Sequence, residues 1–239
     1  DPSGMMKTLH AVRTQEPITI DGLLDEASWA NAAVVEDIHQ IFPVEYAEPS
    51  QRTRFLVLYD DDALYLAGKM YDDEPDQITA NVLRGKGGNS WRDDQFYIYL
   101  DPFNNKRSGY QFQVNPHGVF EEGLFKGPTQ VQWEWDGIWQ AAATQDGEGW
   151  VAETRIPYKT LSFYSDIDTW GINFRRRVAR DSETMGWVSR NRVQSPAVSG
   201  EITGLENLQQ GIGLDVVTSL TANEQRTFIP GSSTSEVEP

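Results

Sequence analysis

WRDDQFYIYLD, residues 91–101, decides the fold. Phe96, Ile98 and Leu100 fall on one side of this stretch, and Tyr97, Tyr99 and Asp101 on the other. Side chains that alternate with period two mark a strand with one face on the core. A polar turn at 101–108 follows, and GYQFQVN (109–115) then alternates again, with Gln111, Gln113 and Asn115 sharing a side. Upstream, RFLVLYD (54–60) and ALYLAGKMYD (63–72) read as a hairpin around the acidic tip Asp60-Asp61-Asp62. Downstream, WQAAATQ (139–145) and GWVAETRIP (149–157) form a second hairpin across Asp146-Gly147. WGINFRRRVAR (170–180) is a strand with Asn173, Arg175 and Arg177 on one face, and MGWVSRN (185–191) is its expected partner. LHAVRT (9–14) and ITI (18–20) read as short strands, and Asp25 as the N-cap of a short helix. Short strands between turn signals, with no long helical period, predict an all-β sandwich with a few short helices and exclude a doubly wound α/β fold.

Composition narrows the function. The chain has 239 residues, no cysteine, eight tryptophans and a formal net charge of −16. Without cysteine there is no disulfide framework and no thiol chemistry. The acidity argues against nucleic acid, whose phosphates need a basic surface. No apolar run reaches the ~18 residues of a membrane helix. The histidines, His10, His39 and His117, have no metalloprotease spacing, and no nucleophile elbow, phosphate loop or dinucleotide fingerprint occurs. Asp93-Asp94 and Glu121-Glu122 are adjacent pairs, which strand geometry points apart, so they do not make the facing carboxylates of a glycosidase. The chain reads as a non-catalytic binding module.

Residues 1–7 read as a foreign or disordered lead, 8–208 as the sandwich, and 209–239 as a linker or the truncated start of another domain. GSSTSEVEP, at the end, has the composition of a disordered segment.

Five segments in order resemble the family 9 carbohydrate-binding modules: IDGLLDEASW (20–29), YDDDALYLAGKMYDDEP (59–75), DDQFYIYLDPF (93–103), GWVAETRIPYKTL (149–161) and WGINFRRR (170–177). YQFQVNPHGVFEEG (110–123) is most similar to the version found N-terminal to a β-barrel in bacterial outer-membrane proteins. The resemblance implies a jelly-roll-like β-sandwich, saccharide binding that serves polysaccharide breakdown or uptake, and structural calcium. It also implies an extracytoplasmic setting, in the periplasm or at the cell surface. There the chain would be associated with the outer membrane, with a C-terminal barrel of the same full-length chain as partner; GIGLDVVTSL (211–220) would open that barrel.

In sugar-binding members two tryptophans clamp a sugar, and Trp91 and Trp187 match those positions. Arg84, Arg92, Gln111, Gln113, Asn115 and Arg175 are the expected partners of its hydroxyls. The family's sugar-bonding Glu reads as Tyr97 here. That departure keeps open an alternative: an accessory domain that recognises a non-sugar partner or the barrel itself. Trp133 and Trp135, two apart, would share a face as a platform or as packing, while Trp29, Trp150 and Trp170 are expected in the core. Asp60, Asp61, Asp62, Asp72, Asp73 and Asp101 are the candidate calcium ligands.

Overall fold

The computed structural model describes residues 5–81 and 92–209. Along the chain come β1 (Thr8–His10), a 3₁₀ turn (Ala27–Asn31), β2 (Ala33–Val35), β3 (His39–Phe42), β4 (Thr53–Tyr59) and β5 (Ala63–Tyr71). Then follow β6 (Gln95–Asp101), β7 (Gly109–Val114), β8 (Phe120–Phe125), β9 (Val131–Gln132), β10 (Gln140–Asp146) and β11 (Gly149–Pro157). The last three are β12 (Trp170–Val178), β13 (Glu183–Gly186) and β14 (Gly200–Thr203).

They build a β-sandwich of two sheets, as the alternation predicts. The larger sheet has nine strands in the order β1-β14-β12-β6-β7-β8-β9, with β13 beside β12 and β3 beside β13. The smaller has five, β10-β11-β5-β4-β2. β1 and β14 run parallel, while the two expected hairpins, β4–β5 and β10–β11, pair antiparallel.

The core lies between the sheets. Phe96, Ile98 and Leu100 of β6 and Phe174 of β12 meet Phe55, Val57 and Leu66 of the smaller sheet. Phe55 stacks on Phe96 and on Phe174, with ring centroids 5.4 and 5.1 Å apart. Trp150 and Trp170 join this core as expected. Arg176 also points inward, closing one end of the sandwich. Its guanidinium donates to Tyr71 O at 2.6 Å and Thr53 Oγ1 at 3.1 Å, and pairs with buried Asp72 at 3.1 Å. Burial pulls its pKa down to about 10, against the pull of Asp94 and Asp72.

A second, smaller apolar cluster covers the outer face of the five-stranded sheet. Trp29 and Ile18 pack there on Leu56, Leu58, Tyr65 and Ala67. Glu153, on the same outer face, holds this cover down: Trp29 Nε1 donates to Oε1 at 3.0 Å, and the amides of Gly22 and Asp21 donate to Oε2 at 2.8 and 3.1 Å. Gly22 sits at φ +87°, which favours glycine, and a Cβ there would come within 2.9 Å of Ala143 backbone.

Two local expectations fail. Residues 18–20 form no strand, because Ile18 is spent on the Trp29 cluster and the Thr19 amide donates to Glu26 Oε1 at 2.7 Å instead of to a ladder. Glu26, not Asp25, sits at the N-cap, and it makes no side-chain cap bond. Its carboxylate is already taken by Thr19. Of the expected segment 209–239, residues 210–239, with the barrel-opening stretch 211–220, lie outside the described residues.

Candidate functional site

Strand register lines up one polar row across the outer face of the nine-stranded sheet. Glu121 of β8 is opposite Gln113 of β7, Gln113 opposite Tyr97 of β6, and Tyr97 opposite Arg175 of β12. Arg175 is opposite Gly186 of β13, which is opposite His39 of β3. Residues in register share a sheet face, so six strands deliver these groups to one side. A second row, Gly123, Gln111, Tyr99 and Asn173, runs beside it.

The rows are wired together. Gln111 Nε2 donates to Gln113 Oε1 at 2.8 Å, and Gln113 Nε2 donates to Glu121 Oε2 at 2.6 Å. The Arg175 guanidinium lies 5.6 Å from the Tyr99 ring centroid and donates to Val193 O. Gly186 makes room for it, since a Cβ there would come within 2.9 Å of Arg175 Cγ. Gly123 makes room for Trp133, whose ring carbons would come within 3.3 Å of a Cβ. Trp133 therefore flanks the Gln111 end of the rows. Trp135 instead packs against Tyr110 and Phe112 on the core side, at 5.0 and 6.1 Å. The two tryptophans do not share a face, because the strand β9 ends at Gln132 and the chain turns between them.

Polar atoms of this face without a hydrogen-bond partner among the described residues include Tyr99 Oη, Arg175 Nε and His39 Nε2. A buried polar atom left unpaired costs roughly 1–3 kcal/mol. An incoming donor or acceptor would recover that cost. Burial sets the electrostatics. It raises the phenol pKa of Tyr97 and Tyr99 and lowers that of Arg175. Burial, helped by Lys7, brings His39 down to about 4, so its imidazole is neutral near pH 7. The face thus presents neutral hydroxyl, amide and imidazole groups around the Arg175 guanidinium and Glu121, with Arg177 further along β12, over the rings of Tyr97, Tyr99 and Trp133.

The expected site residues separate into three sets. Gln111, Gln113 and Arg175 do come together. Asn115 follows β7 and is held in the turn there. Its Oδ1 accepts from the amides of His117 and Val119, and its Nδ2 donates to buried Asp93 at 3.1 Å, so it organises the turn after β7. Arg92 is exposed just before β6. Trp187 requires a correction. Register puts Gly186 on the outer side, so the next residue points inward, and Trp187 is 2 % exposed within the main core, with Nε1 donating to Asp37 at 3.0 Å. Neither face of its indole is open to a ligand. Trp91 and Arg84 lie outside the described residues.

The candidate calcium ligands do not converge. Asp60, Asp61 and Asp62 sit at the β4–β5 tip, while Asp72 and Asp73 follow the far end of β5, about 30 Å away at the rise of a nine-residue strand. Asp60 accepts from the amides of Asp62 and Ala63 and from Tyr65 Oη, Asp61 pairs with Arg13, and Asp72 is held by Arg176 and Arg180. Asp101 accepts the Lys106 amide at 2.7 Å. Calcium asks for about six to eight oxygens in one place. These six residues do not fit it, and no group of three or more His, Asp or Glu is placed to hold a metal among the described residues.

Sequence reasoning missed Glu121, Tyr99 and His39. Glu121 and Tyr99 carry a signal, the period-two parity they share with Gln113 and Tyr97. His39 carries none, since it reaches the face through β13, well over a hundred residues away in sequence.

A two-sheet sandwich with a polar, aromatic-floored outer face is a binding module. The chain belongs to the Carbohydrate family 9 binding domain-like family, which matches residues 20–203. Two solved structures share its fold, both of a family 9 carbohydrate-binding module from Caldicellulosiruptor kristjanssonii. The first, in complex with cellotriose, is 19 % identical, with a TM-score of 0.60 over 89 % of this chain and 100 % of that one. The second, in complex with glucose, is 20 % identical, with a TM-score of 0.60 over 87 % of this chain and 100 % of that one. No curated protein matches the chain.

Proposed function

We propose that this domain binds a saccharide, without catalysis, on the outer face of its nine-stranded sheet. The row Glu121–Gln113–Tyr97–Arg175–His39 carries the reading. Sugars offer apolar ring faces and hydroxyls that both donate and accept. Tyr99, Tyr97 and Trp133 supply rings for the first, while Gln111, Gln113, Glu121, Arg175 and neutral His39 supply partners for the second. Glu121, two strands away on β8, offers a carboxylate where the Tyr97 position has lost one. Family membership and the fold shared with modules solved with cellotriose and glucose support the reading. An extracytoplasmic role in polysaccharide breakdown or uptake at the outer membrane, beside a C-terminal barrel, is the setting we attach to it.

The test is a glycan array on the purified chain, followed by calorimetry on the best ligand, for wild type and Gln113→Ala. Saturable binding that weakens tenfold or more in Gln113→Ala, with an unchanged melting temperature, is the expected result. Binding that is indifferent to Gln113→Ala removes the outer face as the site.

The depth of this row favours one second reading. Tyr97, Tyr99, Gln113 and Arg175 are 7 % exposed or less. A face this deep within the domain itself is less open to a free sugar, which leaves the accessory domain, with a protein segment or the barrel itself as partner, as the second reading. A blank array with a folded chain would select it.

A further inference from the structure

The outer face of the five-stranded sheet holds a cavity of about 610 Å³, within the range of small-molecule sites. Its floor is another register row: Thr144 of β10, Val151 of β11, Lys69 of β5 and Arg54 of β4. Segment 22–30, the cover pinned by Glu153, forms its wall.

The chemistry of the lining selects the occupant. The two cations are already matched: Lys69 pairs with Asp146 at 3.0 Å and Glu148 at 3.6 Å, and Arg54 with Glu36 at 2.9 Å. A ligand anion would have to displace those carboxylates. The acids do not gather for a metal either. The interior mixes apolar surface from Leu56, Val151 and Leu24 with charged groups of both signs from Lys69, Asp146 and Glu26. One acceptor waits inside this lining: Glu26 Oε2 is buried and has no partner among the described residues, while its Oε1 takes the Thr19 amide. A neutral molecule with an apolar ring face and several hydroxyls satisfies all of these terms together. A hydroxyl donates to Glu26, others join the Lys69–Asp146 pair, and the ring face lies on Val151 and Leu56.

We infer that this groove is a second ligand site, for a neutral polyhydroxylated molecule of the size of one or two sugar units. It is separate from the site proposed on the nine-stranded sheet, and it does not need that reading to hold. With both sites occupied the domain would engage two glycan segments on opposite faces, and the effective concentration of the second would rise once the first is bound.

The experiment is a methyl and amide NMR titration of the whole chain with cellotriose, and in parallel with maltotriose, xylotriose and mannotriose. Saturable shifts at Val151, Leu56, Leu24 and Ala27 in wild type, abolished in Ala30→Trp and retained in Gln113→Ala, are the expected result. Ala30 is exposed on the wall, so the indole fills the groove from outside. If Ala30→Trp does not fold, the wild-type map alone decides. Shifts confined to Gln113, Arg175 and their neighbours overturn this inference and leave the first site standing. Shifts confined to the groove support it and remove the first. No shifts with any of the four sugars overturn it.

Discussion

The two outer faces of this sandwich are built alike and finished differently. Each is a register row across four or more strands, facing away from a shared core. On the five-stranded sheet the outward residues include Leu56, Leu58, Tyr65 and Ala67, and a segment with Trp29 seals them as a second core. On the nine-stranded sheet they are Gln113, Tyr97, Arg175 and Glu121, polar groups that are nonetheless largely buried within the domain. An apolar outer face gains roughly 25 cal/mol for each Å² buried. A polar one gains nothing unless every group finds a partner, and among the described residues Tyr99 Oη, Arg175 Nε and His39 Nε2 have none. One face is covered by folding except at the groove beside segment 22–30, and the other carries polar groups for a ligand to meet.

Neighbouring arginines on β12 make the same point at one residue's distance. Arg176 points between the sheets, where its two terminal nitrogens are held by Asp72, Thr53 and Tyr71. Arg175 points outward, donates to Val193 O and lies over the Tyr99 ring with no carboxylate holding it among the described residues; Nε lacks a hydrogen-bond partner in both residues. The contrast breaks most sharply at Arg176. Removing one partner of a buried pair costs roughly 3–5 kcal/mol, so Arg176→Ala should unfold in far less urea than wild type. An unchanged urea midpoint would contradict the placement of Asp72 and Arg176.

Trp29 comes next. Trp29→Ala removes the centre of the five-stranded sheet's cover and one donor to Glu153, at about 3–5 kcal/mol. A melt of this variant should also expose residues 18–31 to hydrogen exchange while the nine-stranded sheet stays protected. Equal loss of protection on both sheets would show that the two faces are not independent.

A smaller effect is expected at Trp187. Trp187→Phe keeps most of the buried ring and loses the bond to Asp37, at roughly 1–2 kcal/mol. Ligand affinity should not change. A large loss of affinity with an intact fold would return Trp187 to the binding face.

The smallest effect is a pH slope. Burial, with Glu26 and Asp21 adding, lifts Glu153 to about 7, and the Gly22 and Asp21 amides pull the other way. The folded pKa stands above the unfolded value of about 4.3, so the folded chain holds this proton more tightly. Its contribution to stability is full below about pH 4.3 and is lost as pH rises through about 7. The melting temperature of wild type should therefore fall more from pH 5 to pH 8 than that of Glu153→Gln. Parallel slopes would place the Glu153 proton elsewhere.

Much of this was legible in the sequence, and the reasons for the rest are physical. Period-two alternation in 91–101 and 109–115 placed Phe96, Ile98 and Phe112 in the core and Tyr97, Gln111 and Gln113 opposite them. Both hairpins were readable because acidic or Asp-Gly turns fix their register locally. Trp187 was misread because its side depends on β13 pairing with β12, where the ladder holds only up to Gly186 and is irregular against β3. A shift of one residue reverses the face. The calcium set failed for another reason: acid-rich turns repeat along the chain, but their distance in space is set by the length of β5, which composition does not reveal.

The central claim is that the outer row of the nine-stranded sheet is where a saccharide binds. A crystal structure of the chain soaked with cellotriose tests it most directly. The account predicts a sugar ring over Tyr99 or Trp133, with hydroxyls within hydrogen-bond distance of Arg175 Nε and of Gln113 or Glu121. Cellotriose bound with that row untouched would contradict it.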